Sequence, residues 1–318
     1  MNIVVIIVAY KGDRWIPKCI ESIRPSRDHQ INLLLVDNYD TPCLASIDKT
    51  GIDTKILKTP APLGFAEANN FALINGGIDS DVVVLLNQDT WSESDWIPKC
   101  ADILAENSDV HAVSPMVRQY DTDDLDPNFE TCLRDDNINN PVDPTAKIQK
   151  LPAVALAIRS SLLKETGPFD PIFGSYYEDY DLCRRIRNAG GTLAISTAVW
   201  VRHFSGSAST TQEAKTKRMI QIIRNRLIHD LRDVNTRRLS RLIRHFLHDF
   251  PRNLVRGLIR TTSSQPVSVT LRANILILGI IWRISSNHRD RDAWCRYLHE
   301  IEWENPNRMS EAQKTLTN

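Results

Sequence analysis

Three short apolar runs near the N-terminus constrain the fold more than any other feature of the chain: "IVVIIVAY" (3–10), "INLLLVDN" (31–38) and "DVVVLLNQD" (81–89). Each is mostly Val, Ile and Leu, ends on a polar residue, and lacks the alternation of a strand with one wet face. That is the pattern of strands buried on both faces of a parallel sheet. Helical periodicity fills the gaps, with Trp15, Cys19, Ile20 and Ile23 on one stripe and Ala66, Asn69, Asn70 and Leu73 on another. Strands alternating with helices predict a doubly wound α/β layer sandwich. Ligands of such sheets sit at the carboxyl ends of the strands, which singles out Asp37, Asn38, Asn87 and Asp89.

The chain has 318 residues, enough for one large α/β domain or for a domain of about 200 residues with an appendage. No run reaches the roughly 18 apolar residues of a spanning helix. The N-terminal run has no basic segment before it and is rich in β-branched residues, so it reads as a strand rather than a signal peptide, and a cytoplasmic location is expected. Six cysteines occur without a CxxC pair, as expected of reduced thiols in a chain that needs no staples. A formal net charge of zero hides a segregation. Residues 1–214 carry 19 Lys+Arg against 30 Asp+Glu, a net of −11, while residues 215–291 carry 17 against 4, a net of +13. Two regions with different jobs follow, 1–214 and 215–318.

Residues 118–150 are rich in Asp, Asn and Pro and read as a long surface loop over a site. "LPAVALAIRSSLL" (151–163) reads as a further buried strand leading into a helix. From 215 onward the pattern is helical and basic, with Leu239, Leu242, Ile243, Phe246, Leu247 and Phe250 at three-and-four spacing, Pro251 as a breaker, and Arg252, Arg256 and Arg260 in an i, i+4 row. These helices and the apolar stretch "ANILILGIIW" (273–282) suit an anionic membrane surface, peripheral on its inner face. They equally suit a helical appendage packed on the acidic region or on a second subunit, as in a homodimer. Nucleic acid is disfavoured as a partner, because no aromatics are interleaved with the arginines as stacking platforms.

Four constellations have chemical potential, each with a plainer reading beside it. "LLNQDT" puts Asn87, Gln88 and Asp89 after a buried strand, where a carboxylate can ligate a divalent cation that holds a diphosphate, or simply make an Asx-turn. "PLGFAEANNFAL" offers Gly64 for close approach and the amides of Asn69 and Asn70 for a sugar or phosphate, or else a helix cap and a solvent-facing Asn. "YYEDYDLCRRIRNAGG" gathers Glu178, Asp179 and Asp181 before Arg184, Arg185 and Arg187. The helix macrodipole explains that charge order by itself, with Gly190 and Gly191 as a stop, but it does not explain Tyr176 and Tyr177. In "VWVRHFSGSAS", His203 leaves an apparent strand, as a packed residue or as a metal ligand.

Taken in order, "VVIIVAYKG", "LLLVDN", "LGFAEANN", "LLNQDT", "GPFDPIFGSYYEDYDLCRRIRNAGG", "VRHFSGSAS" and "IIRNRL" are specific as a set. Over about residues 3–230 the chain resembles glycosyltransferase family 2, the inverting class with the GT-A fold, and within it the rhamnosyltransferase-like branch of polysaccharide synthesis. The resemblance implies a Rossmann-like mixed sheet sandwiched by helices, with a C-terminal helical region. It implies a nucleotide-diphosphate sugar donor, dTDP-, UDP- or GDP-linked, a glycan or lipid-linked glycan acceptor, and Mg²⁺ or Mn²⁺ as cofactor. Asp37 matches the Asp that contacts the nucleotide base, and Asn69 and Asn70 match amides near the nucleotide sugar. Ala9, Tyr10, Asn38, Gly64, Asn87 and Gln88 fall in the same nucleotide-sugar site. Asp89 matches the last Asp of a DXD-type metal motif, with Asn87 in its first position, and His203 resembles the second protein ligand. Asp179 matches the general base, with Glu178 beside it.

The physical logic agrees with these roles. Inverting transfer needs a base for the acceptor proton and a cation for charge on the departing diphosphate. Lys11 stands where the first motif usually has Asn, and Pro62 where Asn commonly precedes "LGF"; both bear on the choice of nucleotide and sugar. The alternative in another class is a non-catalytic nucleotide-sugar or carbohydrate-binding module on the same fold. A nicotinamide enzyme or a nucleotidyltransferase would carry a Gly-rich loop after the first strand, and "AYKGDRW" has a single Gly.

Overall fold

The computed structural model describes residues 1–38, 41–47, 51–138, 145–205, 211–232, 240, 244–252, 271–272 and 274–275. Leu239, Leu242 and Ile243 at the start of the apolar row, the arginines Arg256 and Arg260, Gly206, and all of 273–282 except Asn274 and Ile275 lie outside the described residues. The elements run in order: β1 (Asn2–Ala9), α1 (Ile16–Glu21), β2 (Gln30–Asp37), β3 (Asp53–Lys58), α2 (Phe65–Ile74), β4 (Val82–Asn87), β5 (Thr90–Trp91), α3 (Trp96–Glu106) and β6 (Val110–Gln119). They continue with α4 (Pro127–Asp135), β7 (Thr145–Ile148), β8 (Ala155–Arg159), α5 (Ser160–Thr166), α6 (Glu178–Asn188), β9 (Thr192–His203) and α7 (Gln212–Arg232).

One sheet has the order β3-β2-β1-β4-β8-β6-β9-β5, with β7 also on β9. The three apolar runs form its parallel half: β1 lies between β2 and β4 and runs parallel to both. Ile3, Val5, Ile6 and Ile7 are all fully buried. Consecutive residues point to opposite faces, so both faces of β1 are covered, which is why the run shows no alternation. β8 and α5 sit where 151–163 predicts them, with β8 antiparallel to β4 and β6. The sheet is therefore mixed, as the GT-A resemblance implies, and its antiparallel strands bring distant segments to the carboxyl end of β4.

The stretch 118–150 is not a structureless loop. It holds the end of β6, helix α4 and strand β7. α4 forms because the Asp126 side chain caps it and Pro127 occupies its first turn, both favourable start signals. Phe129, Cys132 and Leu133 then give it a buried stripe. The edge strand β3 also escapes the sequence pattern, since its residues, Asp-Thr-Lys-Ile-Leu-Lys, are all exposed or half-buried.

The described residues fall into two compact units. The first comprises Met1–Gly174 and Glu178–Gly206; the second comprises Ser175–Tyr177 with the described part of Ser207–Arg296. Within the second, Tyr176 and Tyr177 take left-handed backbone angles, φ 71° and 72°, a costly conformation for bulky residues. Asn225 of α7, fully buried, donates its amide to the carbonyls of Ser175 and Tyr176 at 2.8 and 2.7 Å. That gives "IIRNRL" a concrete function, holding the strained tyrosine pair. Among the described residues no helix is long and apolar enough to cross a membrane.

Candidate active site

Register places the site. Ala9 is paired with Asp37, and Val8 with Asn87, so the carboxyl ends of β2, β1 and β4 lie side by side. Asn38 donates its amide N–H to the Ala9 carbonyl, and its side chain is buried and bonded to both the N–H and C=O of Leu63 at 2.8 and 3.0 Å. Asp37, also buried, accepts from the Thr41 amide at 2.8 Å. Gln88 grips Tyr10 in the same two-handed way, accepting from its N–H at 2.9 Å and donating to its C=O at 2.8 Å. This clamp needs Gly12, because a Cβ there would lie 2.1 Å from Gln88 Oε1.

The second group gathers on Asp89. β5 follows it immediately and pairs with β9 so that Thr90 faces His203. Phe204 N–H donates to the Asp89 carbonyl at 3.0 Å. His203 Nε2 thereby comes within 3.5 Å of Asp89 Oδ1 and 3.4 Å of Asn87 Nδ2. Its other nitrogen, Nδ1, lies 2.9 Å from Asp126 Oδ2. Asp126 is fully buried and also accepts from Ser205 Oγ. Burial opposes ionisation of Asp126, yet the bonds from His203, Ser205 and the Phe129 amide prevail and hold its pKa below the usual carboxylate value. Burial likewise works against the charged imidazole, but Asp126 and Asp89 on either side push His203 up to about 9. A cavity of about 280 Å³ opens beside His203, between Gln119–Thr122, Pro127 and Phe204–Ser205. Near it Trp15 packs on Phe204 at 4.3 Å and on Tyr120 at 5.1 Å.

Among the described residues no cluster of three or more His, Cys, Asp or Glu could hold a metal. The Asp89 and His203 pair still fits a divalent cation of the substrate-bound kind, which takes one or two protein ligands and fills its remaining positions with phosphate oxygens and water. Asp89 keeps 20 % of its side chain exposed, so the oxygen is reachable.

The acidic segment at the start of α6 divides its two carboxylates. Glu178 is 5 % exposed, and its Oε2 has no hydrogen-bond partner. Desolvation, and then the adjacent Asp179, push its pKa well above the ordinary carboxylate range. Asp179 is half-buried, with Oδ2 on the Ala153 N–H at 3.2 Å and Oδ1 on the Tyr180 N–H at 2.8 Å. Ala153 leads directly to Val154, whose carbonyl accepts from the Asn87 amide at 2.8 Å, so Asp179 is one residue removed from the end of β4. Asp181 has another job: it is fully buried and paired with Arg184 and Arg185. Arg185 in turn donates to the carbonyls of Thr166, Gly167 and Pro168 at 2.7–2.8 Å.

Gly64 caps α2, and a Cβ on it would meet the Gly174 backbone at 3.0–3.2 Å. Asn69 is buried and donates to the Phe65 carbonyl at 2.9 Å. Asn70 is fully buried and pairs both ends of its amide with the Phe169 backbone, at 2.7 and 3.0 Å. Both amides thus hold the protein itself. The residue that sequence reasoning misses is Asp126, one carboxylate within "DTDDLDPNFE"; its only local signal is the capping pattern of an Asp followed by Pro.

A mixed sheet flanked by helices is the GT-A architecture of the structural neighbours. Residues 4–160 match the family model described as Glycosyl transferase family 2, and this segment of the chain belongs to that family. Among curated proteins it is 23 % identical over 207 residues to the pre-mycofactocin glycosyltransferase of Mycobacterium tuberculosis, covering 64 % of this chain and 42 % of the relative. The chain thus spans less than half the length of that relative. Among solved structures it resembles S. aureus TarS 1–349, with a TM-score of 0.56 at 13 % identity, covering 94 % of this chain and 90 % of that one. It also resembles the mannosyltransferase PcManGT of Pyrobaculum calidifontis, solved with GDP-Man and Mn²⁺, with a TM-score of 0.56 at 16 % identity and coverage of 93 % and 84 %. At these identities the structural likeness speaks for the fold.

Proposed function

We propose that the chain is an inverting glycosyltransferase that moves a sugar from a nucleotide-diphosphate donor to a hydroxyl of a glycan or lipid-linked glycan. The observation that carries this reading is the convergence of Asp89 and His203, 3.5 Å apart, at the strand edge that also holds Asp37 and Asn87. The nucleotide lies along Ala9, Tyr10, Asp37 and Asn38, on a surface fixed by the Gln88 clamp and the Asn38–Leu63 bonds, with Gly64, Asn69 and Asn70 shaping its far wall. Asp89 and His203, with Asn87 beside them, would hold Mg²⁺ or Mn²⁺, which supplies positive charge for the departing diphosphate. The PcManGT complex contains Mn²⁺ and a nucleotide sugar, which supports the same pairing here.

Asp179 accepts the proton of the attacking hydroxyl while that oxygen bonds to the anomeric carbon and the bond from that carbon to the diphosphate breaks. Glu178 is less suited to this step, because it is 5 % exposed and burial disfavours its charged form. Much of the acceleration then comes from orientation and leaving-group stabilisation. Rhamnose is the sugar favoured by the motif set, and polysaccharide synthesis the setting. The basic region 215–318 would attach a cytoplasmic enzyme peripherally to an anionic membrane surface, close to a lipid-linked acceptor.

The experiment is a thermal-shift screen of UDP-, dTDP- and GDP-sugars with Mn²⁺ or Mg²⁺, followed by product analysis on the donor that binds. A bound donor raises apparent stability by mass action. Metal-dependent binding with sugar release or transfer supports the reading; binding without turnover of any donor would mark a binding module instead.

A further inference from the structure

We propose that Asp126 is the positioning residue of the candidate metal site, holding His203 so that Nε2 faces Asp89; the inference rests on the reading of Asp89 and His203 as metal ligands. The carboxylate is fully buried and divides its labour between its two oxygens. Oδ1 accepts from the amides of Asn128 and Phe129 at 2.8 and 3.1 Å, capping α4. Oδ2 accepts from His203 Nδ1 at 2.9 Å and from Ser205 Oγ. With four donors on two oxygens, the carboxylate has no freedom to turn.

The imidazole is then fixed as well. Turning the ring away would forfeit a charge-assisted hydrogen bond to a buried carboxylate, so the ring orientation that keeps Nδ1–H on Asp126 is the one selected. Nε2 is thereby aimed at Asp89. Metal-bound histidines are oriented in general by a carboxylate or carbonyl on the second nitrogen, and removing that partner costs about 10–100-fold in metal affinity.

A plainer account makes Asp126 only a helix cap, but capping uses Oδ1 alone. That separation makes Asp126→Asn discriminating. Asn caps a helix as well as Asp does, so its oxygen can keep the α4 amides. Its –NH₂ then faces His203 Nδ1, opposes the Nδ1–H form, and favours a proton on Nε2, the atom that must bind metal.

The test is Mn²⁺ binding to the full chain, followed by water-proton relaxation enhancement, with thermal melting of each protein measured in parallel. Wild type should bind Mn²⁺, and Asp89→Asn should not. Asp126→Asn should melt within a few degrees of wild type and bind Mn²⁺ about 10–100-fold more weakly. If Asp126→Asn fails to fold, Asp126→Ser replaces it, since Ser also caps but is too short to reach His203; the same loss of affinity is expected. Wild-type Mn²⁺ affinity in a folded Asp126→Asn or Asp126→Ser protein overturns the positioning role alone. Mn²⁺ that ignores the wild type, or binds Asp89→Asn equally, overturns the metal-site reading and this inference with it.

Discussion

Glu178 and Asp179 are neighbours at the start of α6 and occupy opposite environments. Glu178 is 5 % exposed with an unpartnered Oε2, whereas Asp179 is half-buried and bonded to the Ala153 amide. The same turn of helix therefore disfavours charge on one carboxyl and leaves the other half-exposed.

The buried acid predicts a pH-dependent stability. The folded pKa of Glu178 is raised, so folding is unaffected well below pH 4 and is penalised progressively as pH rises past the unfolded value of about 4.3. Glu178→Gln keeps the shape and removes the penalty. Its melting temperature should exceed that of wild type at pH 7, by about 2–4 °C per kcal/mol recovered, and the two should converge near pH 4. A gap that is constant with pH would refute the upward shift of Glu178.

The Gly12–Gln88 contact predicts a donor-binding defect without unfolding. In Gly12→Ala the new Cβ displaces the Gln88 side chain and breaks its two bonds to Tyr10. At about 1 kcal/mol per bond, the fold should lose about 2 kcal/mol, read as a lower melting temperature of a protein that still folds, and the donor dissociation constant should rise by up to about 30-fold. Gln88→Ala should behave alike; if either variant binds donor as wild type does, the clamp does not shape the nucleotide surface.

Arg185 predicts the opposite phenotype. It is buried, paired with Asp181, and holds three carbonyls of the Thr166–Pro168 turn. Arg185→Ala leaves Asp181 with one cation fewer and those carbonyls without donors, at a cost of about 3–5 kcal/mol, measured by urea unfolding. A loss under about 1 kcal/mol would show that the ion pair is not structural.

The parts of the fold that were readable in the sequence are those where one force dominates. β1, β2 and β4 are buried on both faces, so their Val, Ile and Leu runs are unbroken. β3 lies at the sheet edge with no fully buried residue, so it has no apolar signature. α4 is short and acidic, and its stripe of three buried residues is lost among aspartates. The site divides in the same way. Asp89 and His203 are named by their motifs, but Asp126 is recruited by the geometry of β9 and α4. Nothing local separates it from Asp121, Asp123 and Asp124 except the proline that follows. Asn69 and Asn70 show the reverse: their motif points to ligand, while their bonds go to Phe65 and Phe169.

The base assignment is the centre of this account. With a donor that the thermal-shift screen identifies and an acceptor that it glycosylates, kcat and the donor dissociation constant of Asp179→Asn should be measured side by side. Loss of general-base catalysis should lower kcat by about 10²–10⁴-fold while donor affinity stays within about threefold of wild type. Transfer at a near wild-type rate would contradict the assignment outright.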